Sequence, residues 1–300
     1  MNPAAGTDAG QPTTILLPKP DRLFRQRTQR LRDLASSVPS LGGYLLLMAE
    51  LAERQAKIMS TPDSRRSISP GWESGAEANP DGELQRMEIQ GGSALTSLLK
   101  MLVQGFQSPS AAVKLAVARI VEASQPDVER WVRGLRAGQP APDAIAVLPF
   151  VAAALQIELA WWATGLNVDD LGRATEPGLC PVCHAWPVAS VLRTVGETPG
   201  LRYLHCGFCA SEWPYPRIQC IQCGSGEHIA YRGIEGADPA IQAETCDACR
   251  VYLKRIDRDK SPAADPLADD LGTLAMDLLL NEQGYQRFGF NPWMIISAGT

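Results

Sequence analysis

Through most of the chain before residue 172, apolar residues recur at three- and four-residue spacing, and period-two alternation is almost absent. Arg22 to Ser36 sets Leu23, Leu31, Leu34 and Ala35 near one face with arginines around it. Gly43 to Ile58 continues the pattern with Leu45, Met48, Leu51 and Ala52. Both stretches predict helices. From Thr61 to Leu84 the pattern fails under Gly, Pro, Ser and acidic residues, which predicts a long loop. Helical spacing resumes over Ala94 to Phe106 and over Ser110 to Ala123, the latter following Ser108-Pro109, a capping residue before a helix-compatible proline. Pro126-Asp127 opens a helix carrying Val128, Trp131, Val132 and Leu135, closed by Gly138 and Pro140. Asp143 to Leu166 reads as one long buried helix, or two meeting at Pro149. Together these elements predict a helical bundle.

After Gly172 the character changes. Val188 to Val195, Leu201 to His205, Ile229 to Arg232 and Val251 to Ile256 are rich in β-branched and aromatic residues and separated by Gly and Pro, so they predict short strands of small hairpins. Beyond Pro266, Leu267, Leu271, Leu274 and Leu278 return to helical spacing, with Asp269 and Asp270 in the first turn. One amphipathic helix is predicted there, ending near Gly284.

Composition adds limits to this pattern. The 300 residues are 45% hydrophobic and 20% charged, ordinary for a soluble globular chain, and leave room for two domains of ordinary size or one large one. A net charge of −5 argues against a general nucleic-acid or membrane-surface binder. The first residues, MNPAAGTDAGQPTT, lack a basic segment followed by an apolar core, so no secretory signal is expected there. Arg65-Arg66 is followed by no apolar stretch and does not read as a twin-arginine signal. Ala144 to Leu166 is the most apolar stretch, but Pro149, Gln156 and Glu158 favour a buried helix over a membrane span. The expectation is a cytoplasmic chain with no membrane insertion.

The eight cysteines carry the chemistry. They form four C-x-x-C motifs, Cys180/Cys183, Cys206/Cys209, Cys220/Cys223 and Cys246/Cys249, and the second two repeat the first two at an offset of 40 residues. Such a repeat predicts two copies of one unit. Two intervening residues let a tight turn aim both sulfurs at one ion, and a hairpin brings the second turn opposite the first. The expected ligand sets are Cys180, Cys183, Cys206 and Cys209, then Cys220, Cys223, Cys246 and Cys249. An interleaved pairing, disulfides and thioredoxin-like redox chemistry fit the pattern less well. Soft thiolates suit zinc or a single iron, and a complete shell leaves no open position for substrate. Zinc in a purely structural role stays open. His184, His205 and His228 fall beside the motifs, but four cysteines already fill each shell. His184 occupies the position of Gly224 in the other copy, a turn position that often wants positive φ. Trp186, Tyr203, Phe208, Trp213, Tyr215 and Tyr252 are expected to pack around the ions.

The ordered set RLRDLASSVPSLGGYLLLMAELAERQ, CPVCHAWPVASVL, LRYLHCGFCASEW, CIQCG, CDACRVYLK and ADDLGTLAMDLLLNEQGYQRFGFNPW resembles the formate dehydrogenase accessory family FdhE over most of the chain. His184 departs from that pattern, since relatives often have glycine after the first motif. The resemblance implies a cytoplasmic, non-enzymatic maturation factor that contacts the molybdenum or tungsten catalytic subunit of respiratory formate dehydrogenase. It implies rubredoxin-like units and tilts the two ions towards iron, with zinc as the alternative. The expected fold class is multidomain, α plus small β. Residues 1–20 form a disordered N-terminus and 21–172 a helical domain. Residues 173–214 and 215–260 form tandem rubredoxin-like or zinc-ribbon-like tetrathiolate units, and 261–300 a C-terminal helix and tail. Two other readings are a rubredoxin-like electron carrier and a zinc-ribbon nucleic-acid binder, the latter disfavoured by charge. Candidate docking surfaces are the Thr61 to Leu84 loop, the acidic C-terminal helix and the metal units.

Overall fold

The computed structural model describes residues 14–61, 92–171 and 178–294. The loop expected over Thr61 to Leu84 therefore lies, beyond Thr61, outside the described residues. Among the described residues, six α-helices form the first part: α1 (Pro20–Ser37), α2 (Gly42–Ser60), α3 (Ser93–Val103), α4 (Ala111–Glu122), α5 (Gln125–Arg136) and α6 (Leu148–Thr164). Local chemistry sets their starts. Ser110, rather than Ser108, caps α4 by accepting from the Val113 N–H. Ser124 and Asp127 form a capping box at α5. A short 3₁₀ turn, Pro142–Val147, runs into α6, and Pro149 sits in the first helical turn, where its missing N–H costs nothing.

Helix α6 is the axis of the bundle. Its residues from Leu148 to Ile157 are all buried, against α2, α3 and α5. By length and composition Pro142–Thr164 could cross a membrane, but 83% of its most apolar window is buried inside the protein. Gln156, buried within it, is satisfied on both sides. Its carbonyl accepts from Gln55 Nε2 at 2.9 Å, and its amide donates to the Gly207 carbonyl at 2.8 Å.

The second part is one seven-stranded sheet: β1 (Pro187–Val195), β2 (Thr198–Cys206), β3 (Glu212–Pro214), β4 (Ile229–Arg232), β5 (Ile241–Cys246), β6 (Val251–Asp257) and β7 (Gln286–Arg287). The strand order is β3-β2-β1-β6-β5-β4, with β7 also on β6. Each copy of the sequence repeat thus supplies three antiparallel strands. The copies join where β1 and β6 pair in parallel, Val191 opposite Ile256. The tandem units are therefore halves of one sheet. Strand β5 was not expected because IQAETC lacks the run of β-branched and aromatic residues that marked the other strands. Buried Glu244 is paired there with Arg202. Leu16, inside the stretch expected to be disordered, exchanges two backbone hydrogen bonds with Glu212, the first residue of β3.

The C-terminal stretch predicted as one helix is two, α7 (Pro266–Gly272) and α8 (Leu274–Glu282). Competition for carbonyls breaks it. The buried Lys254 ammonium takes the Asp270 and Thr273 carbonyls, and the Thr273 hydroxyl takes the Asp269 carbonyl at 2.7 Å. The break shifts the apolar face: Leu267 and Leu271 are buried, but in α8 Met276 and Leu280 face inward while Leu278 is exposed. Helix α7 docks on α1 through Arg27–Asp265 at 3.0 Å and Arg30–Asp269 at 2.5 Å.

Two stability tests follow from these groups. Breaking the Arg27–Asp265 pair with Arg27→Met strands a buried carboxylate and should cost about 3–5 kcal/mol in urea unfolding. The double variant Arg27→Met/Asp265→Leu should cost less than the sum of the single changes. Glu158 on α6 has a buried carboxylate oxygen with no partner, and burial pushes its pKa up to about 7. A raised carboxyl pKa means the folded state favours the neutral form. Its contribution is fully present below the unfolded value of 4.5 and is lost as pH rises through about 7. Glu158→Gln should therefore stabilise the fold by about 2–3 kcal/mol at pH 8 and leave it unchanged at pH 4, read by thermal melts.

Candidate metal centre

Each C-x-x-C motif folds into the same knuckle. The residue after its second cysteine has a left-handed backbone in all four: His184 (φ 57°), Ala210 (φ 59°), Gly224 (φ 73°) and Arg250 (φ 58°). The N–H of that residue returns to the carbonyl of the first cysteine, at 2.9, 3.2, 3.0 and 2.9 Å respectively. Only one copy of this turn uses the residue type best suited to it. The knuckle N–H groups face sulfur, with Phe208 N 3.4 Å from Cys206 Sγ and Gln222 N 3.4 Å from Cys220 Sγ.

The knuckles meet in sequential pairs, as the repeat predicts. Cys180, Cys183, Cys206 and Cys209 form one cluster, and Cys220, Cys223, Cys246 and Cys249 the other, with ligand atoms all within 4.8 Å of one another in each. Cross-knuckle sulfur separations are 3.5 Å (Cys180–Cys209), 3.3 Å (Cys183–Cys206), 3.6 Å (Cys220–Cys249) and 3.7 Å (Cys223–Cys246). Disulfides need about 2.05 Å, so these are four free thiols per cluster. A tetrahedron with sulfur about 2.3 Å from a central ion places sulfurs about 3.8 Å apart, close to what is seen. The donor set fits a four-coordinate soft cation and leaves no open position.

Electrostatics agrees. In the first cluster the Cys180, Cys206 and Cys209 thiols hydrogen-bond to Cys183 and hold it well below the usual range, while burial pushes Cys180 and Cys209 up. Without a cation the cluster favours one thiolate among thiols; a bound divalent ion supplies the charge that lets all four ionise. The second cluster is looser. The Ser225 N–H brings exposed Cys223 down to about 7, and burial pushes Cys220 and Cys249 up.

The clusters differ in setting. All four cysteines of the first belong to the main hydrophobic core; none of the second does. The helical part grips the first cluster: Gln156 holds Gly207 in the second knuckle, and Arg136 donates to the Cys183 carbonyl at 3.3 Å. Arg202 on β2 braces the second cluster by donating to the Pro216 and Gln219 carbonyls just before Cys220, while also pairing with Glu244. Sequence reasoning missed these supports. Gln156 had a signal, a lone amide in an apolar run, whereas Arg202 and Arg136 sit among ordinary neighbours.

The histidines stand outside both clusters. Buried His205 bonds Glu212 through Nδ1 at 3.0 Å, and burial drives its pKa down against the pull of that carboxylate. His228 is exposed, and His184 takes part in its turn. Tyr203, Phe208, Trp213 and Tyr252 are buried as expected. Trp186 is not: it is 47% exposed, its ring edge-on to Phe288 at 5.1 Å.

A helical bundle fused to a sheet that carries two tandem tetracysteine clusters defines a class of two-centre, thiolate-rich proteins. Profiles described as FdhE N-terminal, FdhE central domain and FdhE C-terminal domain match residues 12–176, 179–217 and 218–294. The chain belongs to the FdhE family. It is similar to a protein FdhE homolog of Pseudomonas aeruginosa, 35% identical over 94% of this chain and 93% of the relative. It is also similar to protein FdhE of Escherichia coli O1:K1, 30% identical over 95% and 92%. The crystal structure of the FdhE protein from Pseudomonas aeruginosa superposes with a TM-score of 0.78 at 33% identity, covering 94% of this chain and 98% of that one.

Gly224 tests the knuckle geometry directly. A Cβ there meets nothing nearer than the Gln219 amide at 3.7 Å, so backbone strain alone opposes it. Gly224→Ala should cost about 1 kcal/mol in urea unfolding, whereas Gly233→Ala, in open space without positive φ, should be neutral or mildly stabilising.

Proposed function

We propose that this chain is a non-enzymatic maturation factor for respiratory formate dehydrogenase, which it meets as the catalytic subunit in the cytoplasm and helps to assemble or activate. One observation carries the reading: two closed tetracysteine clusters occur in a chain matched to the FdhE family along nearly its whole length. In this reading Cys180, Cys183, Cys206 and Cys209 hold one ion, and Cys220, Cys223, Cys246 and Cys249 the other. Both ions are iron in rubredoxin-like sites. A closed thiolate shell supplies folding energy and, with iron, one-electron chemistry, but no Lewis-acid position for substrate. The acidic net charge supports a protein partner over nucleic acid, and the burial of α6 supports a role without membrane insertion.

The test is metal analysis of anaerobically purified protein followed by pull-down of a formate dehydrogenase catalytic subunit. Two iron equivalents with visible thiolate-to-iron absorption and specific capture are expected. Two zinc ions and no colour would remove iron from the reading, and failure to capture the subunit would remove the partner. Cys220→Ser/Cys223→Ser should lose one metal equivalent and loosen the second unit, read by hydrogen exchange, while the first keeps its ion.

A further inference from the structure

The two clusters repeat one ligand set, yet only the second meets solvent. The first four sulfurs are sealed in the main core beneath the helical part, with Cys180, Cys206 and Cys209 at 0% exposure. In the second, Cys223 is exposed and Cys249 half-buried, and the chain around Cys223 is bare: Gln222, Gly224, Gly226, Glu227 and His228 are all exposed. Thiolate oxidation follows access, so an oxidant that reaches Cys223 is denied the equivalent Cys183. Geometry then offers a second sulfur. Cys246 Sγ lies 3.7 Å from Cys223 Sγ across the two knuckles, and Cys220 and Cys249 stand 3.6 Å apart. Each pair closes to a disulfide, about 2.05 Å, by a shift of loop tips.

We propose that the second tetracysteine cluster is a hydroperoxide-sensitive modification site, at which oxidation joins Cys223 to Cys246 and Cys220 to Cys249 and releases the ion, while the first cluster keeps its own. The inference rests on the reading that both clusters hold metal. The Cys223 thiolate attacks one peroxide oxygen. The O–O bond breaks, an S–O bond forms, and hydroxide departs to be neutralised by a buffer proton, so sulfur loses the two electrons that the peroxide gains. The Cys246 thiolate then attacks that sulfenic sulfur, the S–S bond forms, and the S–O bond breaks, its oxygen leaving as hydroxide that a second buffer proton converts to water. A second peroxide repeats the sequence at Cys220 and Cys249. With its thiolates consumed, the ion leaves.

The consequence is local to one end of the sheet. The fourth knuckle holds strand β7, since Gln286 N donates to the Arg250 carbonyl at 2.7 Å, and Arg232, Asp247 and Arg250 gather around Tyr285. The first cluster, gripped by Gln156 and Arg136, keeps the helical part seated. Oxidation therefore alters the second unit without dismantling the fold.

The experiment uses the full chain loaded with two zinc ions, so that every electron comes from sulfur. Hydrogen peroxide is added in the presence of a chromophoric zinc chelator, and disulfides are mapped by peptide mass. One zinc equivalent should be released, with Cys223–Cys246 and Cys220–Cys249 found as disulfides. Cys180, Cys183, Cys206 and Cys209 should remain reduced, hydrogen exchange should rise around residues 283–288, and dithiothreitol with fresh zinc should reverse the change. Release of both ions together, release of neither, or disulfides within the first cluster would overturn the proposal. A chain that takes up fewer than two zinc ions before any peroxide is added would overturn the metal reading and this proposal with it.

Discussion

Four sulfurs must converge on one point twice, and most of the second half of the chain follows from that demand. A knuckle presents two sulfurs only if the chain reverses tightly after its second cysteine. The reversal is a left-handed residue whose N–H closes on the first cysteine's carbonyl, and it recurs at His184, Ala210, Gly224 and Arg250. Non-glycine residues in that conformation are strained by roughly 1–2 kcal/mol each. Three such residues persist because the returning hydrogen bond and the hairpins on either side over-determine the turn, and an ion shared by its sulfurs would add to that constraint. The hairpins between knuckles then have little freedom, and the sheet order β3-β2-β1-β6-β5-β4 is two copies of one three-stranded solution laid side by side.

The helical half is attached to this frame by buried polar contacts rather than by apolar surface alone. Gln55, Gln156 and the Gly207 carbonyl form a chain of hydrogen bonds from α2 through α6 into the second knuckle. Arg27 and Arg30 bind Asp265 and Asp269 between α1 and α7. Buried ion pairs add little net stability over an apolar match, but losing one partner is expensive, so they fix how two surfaces register. Registry matters here because the first cluster lies at that junction, where a slide of one surface would uncover sulfur.

The helices and the ligand sets were legible because each rests on a strong local signal, helical spacing in one case and fixed cysteine spacing in the other. The split between α7 and α8 was hidden, since the leucine spacing runs straight through it. What breaks the helix is the Lys254 ammonium arriving from β6, distant in sequence. Strand β5 was hidden for a related reason: Glu244 looks like a solvent residue until Arg202 from the other repeat reaches it. The joining of both units into one sheet through β1 and β6 left no trace in either repeat, because parallel pairing across 65 residues of chain carries no local pattern.

An exact repeat of cysteine spacing suggests two equivalent sites, and burial makes them unequal. The asymmetry is not in the ligands, which match at every position, but in what the rest of the chain lays over them. Helices α5 and α6 cover one knuckle pair, and no comparable layer among the described residues covers Cys223 and its neighbours. Burial would raise the cost of stripping an ion from the first cluster, because charged sulfurs would be left without compensation in an apolar core. Exposure lets water and solutes reach the second. Packing alone thereby leaves one tetracysteine cluster inside the core and the other at its edge.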